Sequence, residues 1–226
     1  MSSRDPDELR AELRSIDFSG DPELLPEFRD EARETVDNQV ATLNDIDTKA
    51  SRILRLNIVL IGVLVSAASI AAKAGSGNQS GITAVEPFLN VYMQTGVGAL
   101  VGSTAFAAMT YTTSELDVGL SSNNLKTLLE SDFSRTDIEE LVVKNYIVRI
   151  NFNRSTNIRN IPLIQLTILL VIAAIVSFSL GLYTAVIGPV SPWLLGTALA
   201  LLATVTIVSG LPTQLRRAGR DWWEWR

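Results

Sequence analysis

Residues 162–183 read PLIQLTILLVIAAIVSFSLGLY, with no Asp, Glu, Lys or Arg among them. As a helix rising ~1.5 Å per residue, this stretch spans the ~30 Å hydrocarbon layer of a bilayer. It has no polar face with which to meet water, so it reads as a transmembrane segment. Working outward, Trp193–Leu211 is equally apolar, and the loop between them, 184–192, carries Gly188-Pro189 and Pro192. The two segments therefore read as a hairpin. Upstream, Ile53–Ala72 and Phe88–Thr112 form a second apolar pair, linked by the Gly/Ser-rich residues 74–87. Phe88–Thr112 is the least oily of the four, with Gln94, Gly96, Gly98, Gly102, Ser103 and Thr104 inside it. The expected fold is all-α: a four-helix transmembrane bundle of two hairpins with cytoplasmic helical extensions.

The Lys and Arg residues set the expected orientation. Of 19, eighteen lie before or at the mouth of the first span, between the second and third, or after the fourth; only Lys73 lies at the opposite side. The positive-inside rule then places both termini and the central loop in the cytoplasm, in a multi-pass protein of the cell membrane. Phe88, Tyr92, Tyr183 and Trp193 fall at the expected outer boundary, where amphipathic rings favour the headgroup region. The polar, acidic stretch ahead of the first apolar run is unlike a signal peptide. The chain thus divides into an acidic cytoplasmic helical tail (1–52), a first hairpin (53–112), a cytoplasmic helical loop (113–160), a second hairpin (161–211) and a basic, Trp-rich juxtamembrane tail (212–226).

Composition narrows the chemistry. The 226 residues are 47% hydrophobic with a mean hydropathy of +0.25, and the net charge is −5. Residues 1–50 alone carry 14 acids and 6 bases, which argues against a nucleic-acid partner, since phosphate binding needs a basic surface. There is no Cys and no His, which removes disulfides, thiol nucleophiles, zinc–thiolate sites and the commonest general base. Abundant acid with 15 Arg to 4 Lys suggests a halophilic proteome. No ionisable side chain lies in the middle of a span, where ion-coupled transporters and membrane enzymes place theirs. The expectation is a non-enzyme without a cofactor or metal. The carboxylates nearest the bilayer, Asp45, Asp47, Glu115 and Asp117, read as solvated helix-end charges, with a divalent-cation site as the sharper alternative.

The cytoplasmic parts show helix signals. Asp5-Pro6 with Glu8, and Asp21-Pro22, read as helix starts, and a longer helix is expected from near Pro26. Val36, Val40, Leu43, Asp47, Ala50, Leu54 and Asn57 recur at alternating steps of four and three, a heptad-like stripe that enters the first span without a breaker. In the central loop, Ser121–Asn124 marks a turn and Thr136 with Glu139 forms a capping box. Leu141, Asn145, Val148 and Phe152 continue at heptad steps toward Ile161-Pro162. Either the two stalks pair with each other or each caps the bundle.

Three further features are candidate sites. Gly98 and Gly102 form a GxxxG pair, a surface for packing within the bundle or for self-association. Arg216, Arg217, Arg220, Trp222, Trp223 and Trp225 make a basic, aromatic interfacial anchor or a lipid-specific site. The stalk-entry residues Asp47, Lys49, Ala50 and Asn57 are the third. Gln94–Gly98 matches a potassium-filter string only in part, lying inside a span and lacking the Tyr-Gly ending. Asn78-Gln79-Ser80 is a glycosylation sequon on the expected outer face.

Asp47-x-Lys49-Ala50, followed by Leu54 and Asn57 and then an apolar span, resembles the membrane effectors of Pycsar anti-phage systems over residues 43–72. This chain departs from them in its second hairpin and in lacking an evident nucleotide-binding domain. Thr110–Leu116 and Asn151-Phe152-Asn153 resemble an uncharacterised four-span membrane protein family of halophilic archaea, a likeness that implies no activity. Two functions follow as expectations. One is a membrane-anchored interaction or signalling component, whose partners are the lipid bilayer and a cytoplasmic protein or a second copy. The other is an inducible pore-forming or membrane-disrupting effector, implied by the first resemblance and the small-residue face of the second span.

Overall fold

The computed structural model describes residues 15–16, 18–74, 86–112, 126 and 130–224, and among these the regular structure is helical, with no strand. The helices are α1 (Leu25–Ala74), α2 (Val91–Thr112), α3 (Arg135–Val186), α4 (Pro192–Val208) and α5 (Leu211–Glu224). Two of them, α1 and α3, are long and apolar enough to cross a membrane; α4 is apolar but shorter, at 17 residues. The sequence signals at Asp5-Pro6, Asn78–Ser80, Glu115, Asp117 and Ser121–Asn124 lie outside the described residues.

The chain forms two compact units, residues 1–45 with 114–159 and residues 46–113 with 160–226. α1 and α3 each contribute residues to both.

The Asp21-Pro22 signal and the longer helix turn out to be one start. Asp21 Oδ1 accepts from the Glu23 N–H at 3.0 Å, and a single 3-10 turn, Pro22–Leu24, leads directly into α1. Pro26 sits in the first helical turn, where its missing N–H would have had no partner in any case. From there no Gly or Pro interrupts the chain until Gly62, and the helix runs unbroken from the charged stretch into the apolar one. Two interleaved seven-residue series mark its inner face: Leu25, Ala32, Gln39, Ile46, Ile53, Leu60, and Arg29, Val36, Leu43, Ala50, Asn57, Leu64. Every member is buried or half-buried. A strict seven-residue repeat of this kind imposes left-handed supercoiling on its partners.

α3 begins one cap earlier than the Thr136–Glu139 box. Ser134 Oγ accepts from the Asp137 N–H at 3.2 Å, while Asp137 Oδ2 accepts from the Ser134 N–H at 3.1 Å. Glu139 is instead held by Arg135 at 3.1 Å, one turn away. The Ser134–Asp137 box prevails because it satisfies two backbone donors and leaves Glu139 to an i,i+4 pair. Ser134→Ala is expected to cost about 1 kcal/mol of stability, read as a lower midpoint of thermal unfolding, with Thr136→Ala nearly silent.

The inner face of α3 is also displaced from the expected one. Leu141 is 41% exposed and Asn145 and Phe152 are half-buried, although Val148 is fully buried. The buried line instead passes through Asn153, Asn160, Thr167, Ala174 and Gly181, seven residues apart, with Asn157, Ile164 and Val171 beside it, and continues through half-buried Tyr146, Ile150, Phe178 and Ala185. Apolar counting favoured Phe152; the carboxamides of Asn153 and Asn157 occupy the seam instead. Pro162 lies inside the helix and does not end it. It removes one N–H that the Ile158 carbonyl would otherwise accept.

In the second unit, α2 presents Gly96, Leu100, Ser103, Ala107 and Thr110 as its buried face. These residues are mostly small, so α3 approaches closely. The Asn90 side chain joins the two helices: its Oδ1 accepts from the Met93 N–H at 3.0 Å and its Nδ2 donates to the Gly181 carbonyl at 2.9 Å. α3 ends as the Ile187 and Gly188 N–H groups fold back onto the Tyr183 carbonyl. α4 then starts at Ser191, whose hydroxyl accepts from the Leu194 N–H at 3.3 Å, followed by Pro192 at the first helical position. Gly210 (φ +69°) makes the turn from α4 into α5, a left-handed conformation that an L side chain resists.

Candidate functional site

Among the described residues, what stands out is polarity buried where helices meet. In the second unit it centres on Asn57, fully buried on α1. Its Nδ2 donates to Ser103 Oγ at 3.0 Å and to Thr104 Oγ1 at 3.1 Å, both on α2. Each hydroxyl passes its own proton onward: Ser103 to the Thr167 carbonyl of α3 at 3.2 Å, Thr104 to the Leu100 carbonyl at 2.8 Å. Three helices are therefore tied by one directional chain of hydrogen bonds. Thr167 and Thr110, also fully buried, bond back to the carbonyls of Leu163 and Phe106 in their own helices. The polarity adds no charge to the apolar segments and serves to fix which faces meet.

A second polar group lies in the first unit, where α1 and α3 pair. Gln39 Nε2 donates to the Ile150 carbonyl at 3.2 Å, and Asn157 Nδ2 donates to the Gln39 carbonyl at 3.3 Å. Of the two arrangements open from sequence, the stalks thus pair with each other. Asn153, between Ile150 and Asn157, is fully buried. Arg149, 6% exposed, donates from Nε to Asn145 Oδ1 one turn earlier.

The expected site residues fall as follows. Of the stalk-entry set, Ala50 and Asn57 are fully buried, Asp47 is half-buried and Lys49 is exposed. Of the GxxxG pair, a Cβ on Gly102 would stand 3.5 Å from Leu170 Cδ1, an ordinary contact, whereas one on Gly98 would meet nothing within 4 Å. The close approach belongs to Gly96, where a Cβ would stand 2.6 Å from the Phe178 ring. Arg216, Arg217, Arg220, Trp222 and Trp223 lie on α5, with Arg216 exposed; Trp225 is outside the described residues. Among the described residues no three acidic side chains gather as a metal ion would require.

One surface depression of about 390 Å³ lies at the start of α3, lined by Phe133, Asp137, Glu140, Leu141 and Lys144. Its acids are committed, Asp137 to the helix cap and Glu140 to Lys144 at 2.6 Å. The buried carboxamides Asn153, Asn157 and Asn160 were the main residues that reading for chemistry missed. Their signal was present in the seven-residue spacing of Asn153 and Asn160.

Fold and site together define an all-helical protein whose two longest helices have the length and apolarity to span a bilayer and whose buried polar groups join helices. The chain matches no protein-family model, no curated protein and no solved structure at a significant level.

Proposed function

We propose that the chain is a four-span integral membrane protein, with both termini and the central segment cytoplasmic, acting as a membrane-anchored interaction or signalling component. The observation that carries this reading is the outer surface of the apolar helices. α4 buries none of its residues, and Trp193, Val208 and Val186 are 86%, 80% and 72% exposed. Ile58, Val59, Val63, Val65 and Ile70 on α1 are likewise exposed. Such surface is costly in water and costless in lipid. In the sequence of this segment, Leu211, Leu215, Ala218 and Trp222 recur at steps of four and three, with Arg216, Arg217 and Arg220 out of that register, a pattern suited to the inner-leaflet interface. The paired, charged segments of α1 and α3, with Phe28, Phe133 and Leu141 exposed, supply the surface for a cytoplasmic protein partner. No catalytic role is assigned.

The absence of Cys allows a direct test. Ile187→Cys should react with an impermeant maleimide in intact cells, and Asp132→Cys only after permeabilisation. The reverse pattern, or release of the chain from membranes at alkaline pH, overturns the topology. Phe133→Glu with Leu141→Glu should remove co-purifying proteins while the chain stays in the membrane; an unchanged set of partners overturns the interaction role.

A second reading, an inducible pore, draws support from Asn57, Ser103, Thr110 and Thr167, polar side chains buried among apolar helices. It requires loss of membrane potential on overexpression. Harmless expression with the potential intact sinks it.

A further inference from the structure

The α1–α3 pair of the first unit satisfies its apolar side chains and leaves four carboxamide atoms unmet. Val36, Leu43 and Val148 are almost fully buried there. Yet Asn153, fully buried, has no hydrogen-bond partner for either Oδ1 or Nδ2. Asn157 Oδ1 and Gln39 Oε1 are buried without partners as well. The two bonds that place these groups together, from Gln39 to Ile150 and from Asn157 to Gln39, are 3.2 and 3.3 Å, at the long end of the range. Unmet polar atoms on successive turns of one helix, opposite a glutamine with its own unmet oxygen, are the reverse of what a permanent seam selects.

The energetic consequence follows from what each atom loses. A buried donor or acceptor without a partner forfeits its hydration and gains nothing in return. Separating the helices restores water to all four atoms at the cost of exposing the apolar stripe. The two terms oppose each other, so the open and closed arrangements lie closer in free energy than they would with leucines at the same positions. None of these groups titrates, so the carboxamide contribution to the balance does not depend on pH. It responds to whatever prefers one arrangement.

We propose that the α1–α3 pair of the first unit is a two-state element: the closed pairing seen here, and an open one in which Gln39, Asn153 and Asn157 are hydrated. The carboxamides set the balance. The pair lies within continuous helices, so opening is a movement of helical segments and not of a loop. This does not depend on the interaction reading above, since it concerns a property of the isolated chain.

The test uses the full chain in lipid nanodiscs, with spin labels on Asp37→Cys and Asn151→Cys. Both positions are exposed, and the chain has no Cys of its own. The parent should give two distance populations. Asn153→Leu should deplete the longer one by about tenfold and slow amide exchange over residues 36–46 to match, the change expected when unmet polar atoms leave a seam. Asn157→Leu should act in the same direction and serves if Asn153→Leu fails to fold. A single population in the parent overturns the proposal. So do two populations that neither variant shifts, or failure of both variants to fold, which marks the carboxamides as needed for the closed packing.

Discussion

Gly181→Ala should destabilise the protein by about 2–3 kcal/mol, the upper part of the range for overpacking a close contact. A Cβ at this position would stand 2.7 Å from Met93 Cγ, 3.0 Å from its Sδ and 3.1 Å from its backbone nitrogen. The side-chain atoms can move; the backbone nitrogen cannot, because it opens α2 and donates to Asn90 Oδ1. The same Asn90 donates to the Gly181 carbonyl, so the strain spreads to the joint itself. Gly96→Ala meets a different obstacle, two carbons of the Phe178 ring at 2.6 Å. Here the ring yields by rotating or sliding, so the cost is about 1–2 kcal/mol and Phe178→Leu in the same chain should recover part of it. Gly98→Ala, Gly62→Ala and Gly196→Ala meet nothing within 4 Å and should leave thermal unfolding unchanged, apart from the small gain of alanine in a helix. If Gly98→Ala proves as harmful as Gly181→Ala, the α2–α3 contact described here is not the one that holds the protein together.

That contrast also shows where sequence reading stops. A GxxxG pattern identifies a helix with a small-residue face, but α2 has two such faces. Gly98 and Gly102 lie along one, Gly96 and Ser103 along the other. The choice is made by the large side chain that must be accommodated, Phe178, and it comes from a distant segment, α3. Local competition had a similar result at the start of α3, where Ser134–Asp137 and Thr136–Glu139 satisfy the same spacing and only the full set of bonds separates them. By contrast, the continuity of α1 was legible because it depends on an absence that the sequence displays directly, no Gly or Pro between Pro26 and Gly62. Asn57 was legible for another reason. A lone carboxamide on an otherwise apolar stripe must find a partner, whatever the partner is. What the stripe withheld was that α2 and α3 would both answer it. The first-unit carboxamides were hidden because Asn153 stands next to Phe152, and a search for apolar positions takes the phenylalanine.

Asn57→Asp should be the most damaging near-isosteric substitution in the second unit, costing about 3–5 kcal/mol, the range for a buried charge left without its partner. The argument rests on the direction of the hydrogen bonds. Ser103 and Thr104 have already given their protons to the carbonyls of Thr167 and Leu100, so they offer only lone pairs to residue 57. Asparagine fits because its Nδ2 brings protons to both. A carboxylate brings none. It sets oxygen against oxygen in a fully buried site, unless both hydroxyls turn and abandon the carbonyls they now serve. Asn57→Leu removes the donor without adding charge and should cost only about 1 kcal/mol, since hydrogen bonds between apolar helices average well under 2. Ser103→Ala should be milder than Asn57→Asp, because Thr104 still accepts from the amide. The ordering Asp worse than Leu, with Ser103→Ala on the mild side, is the discriminating result, measured as detergent-induced unfolding of the purified chain. Equal losses for Asp and Leu would mean that Asn57 contributes packing volume alone and that the three helices are held by their apolar and small-residue contacts without the directional chain.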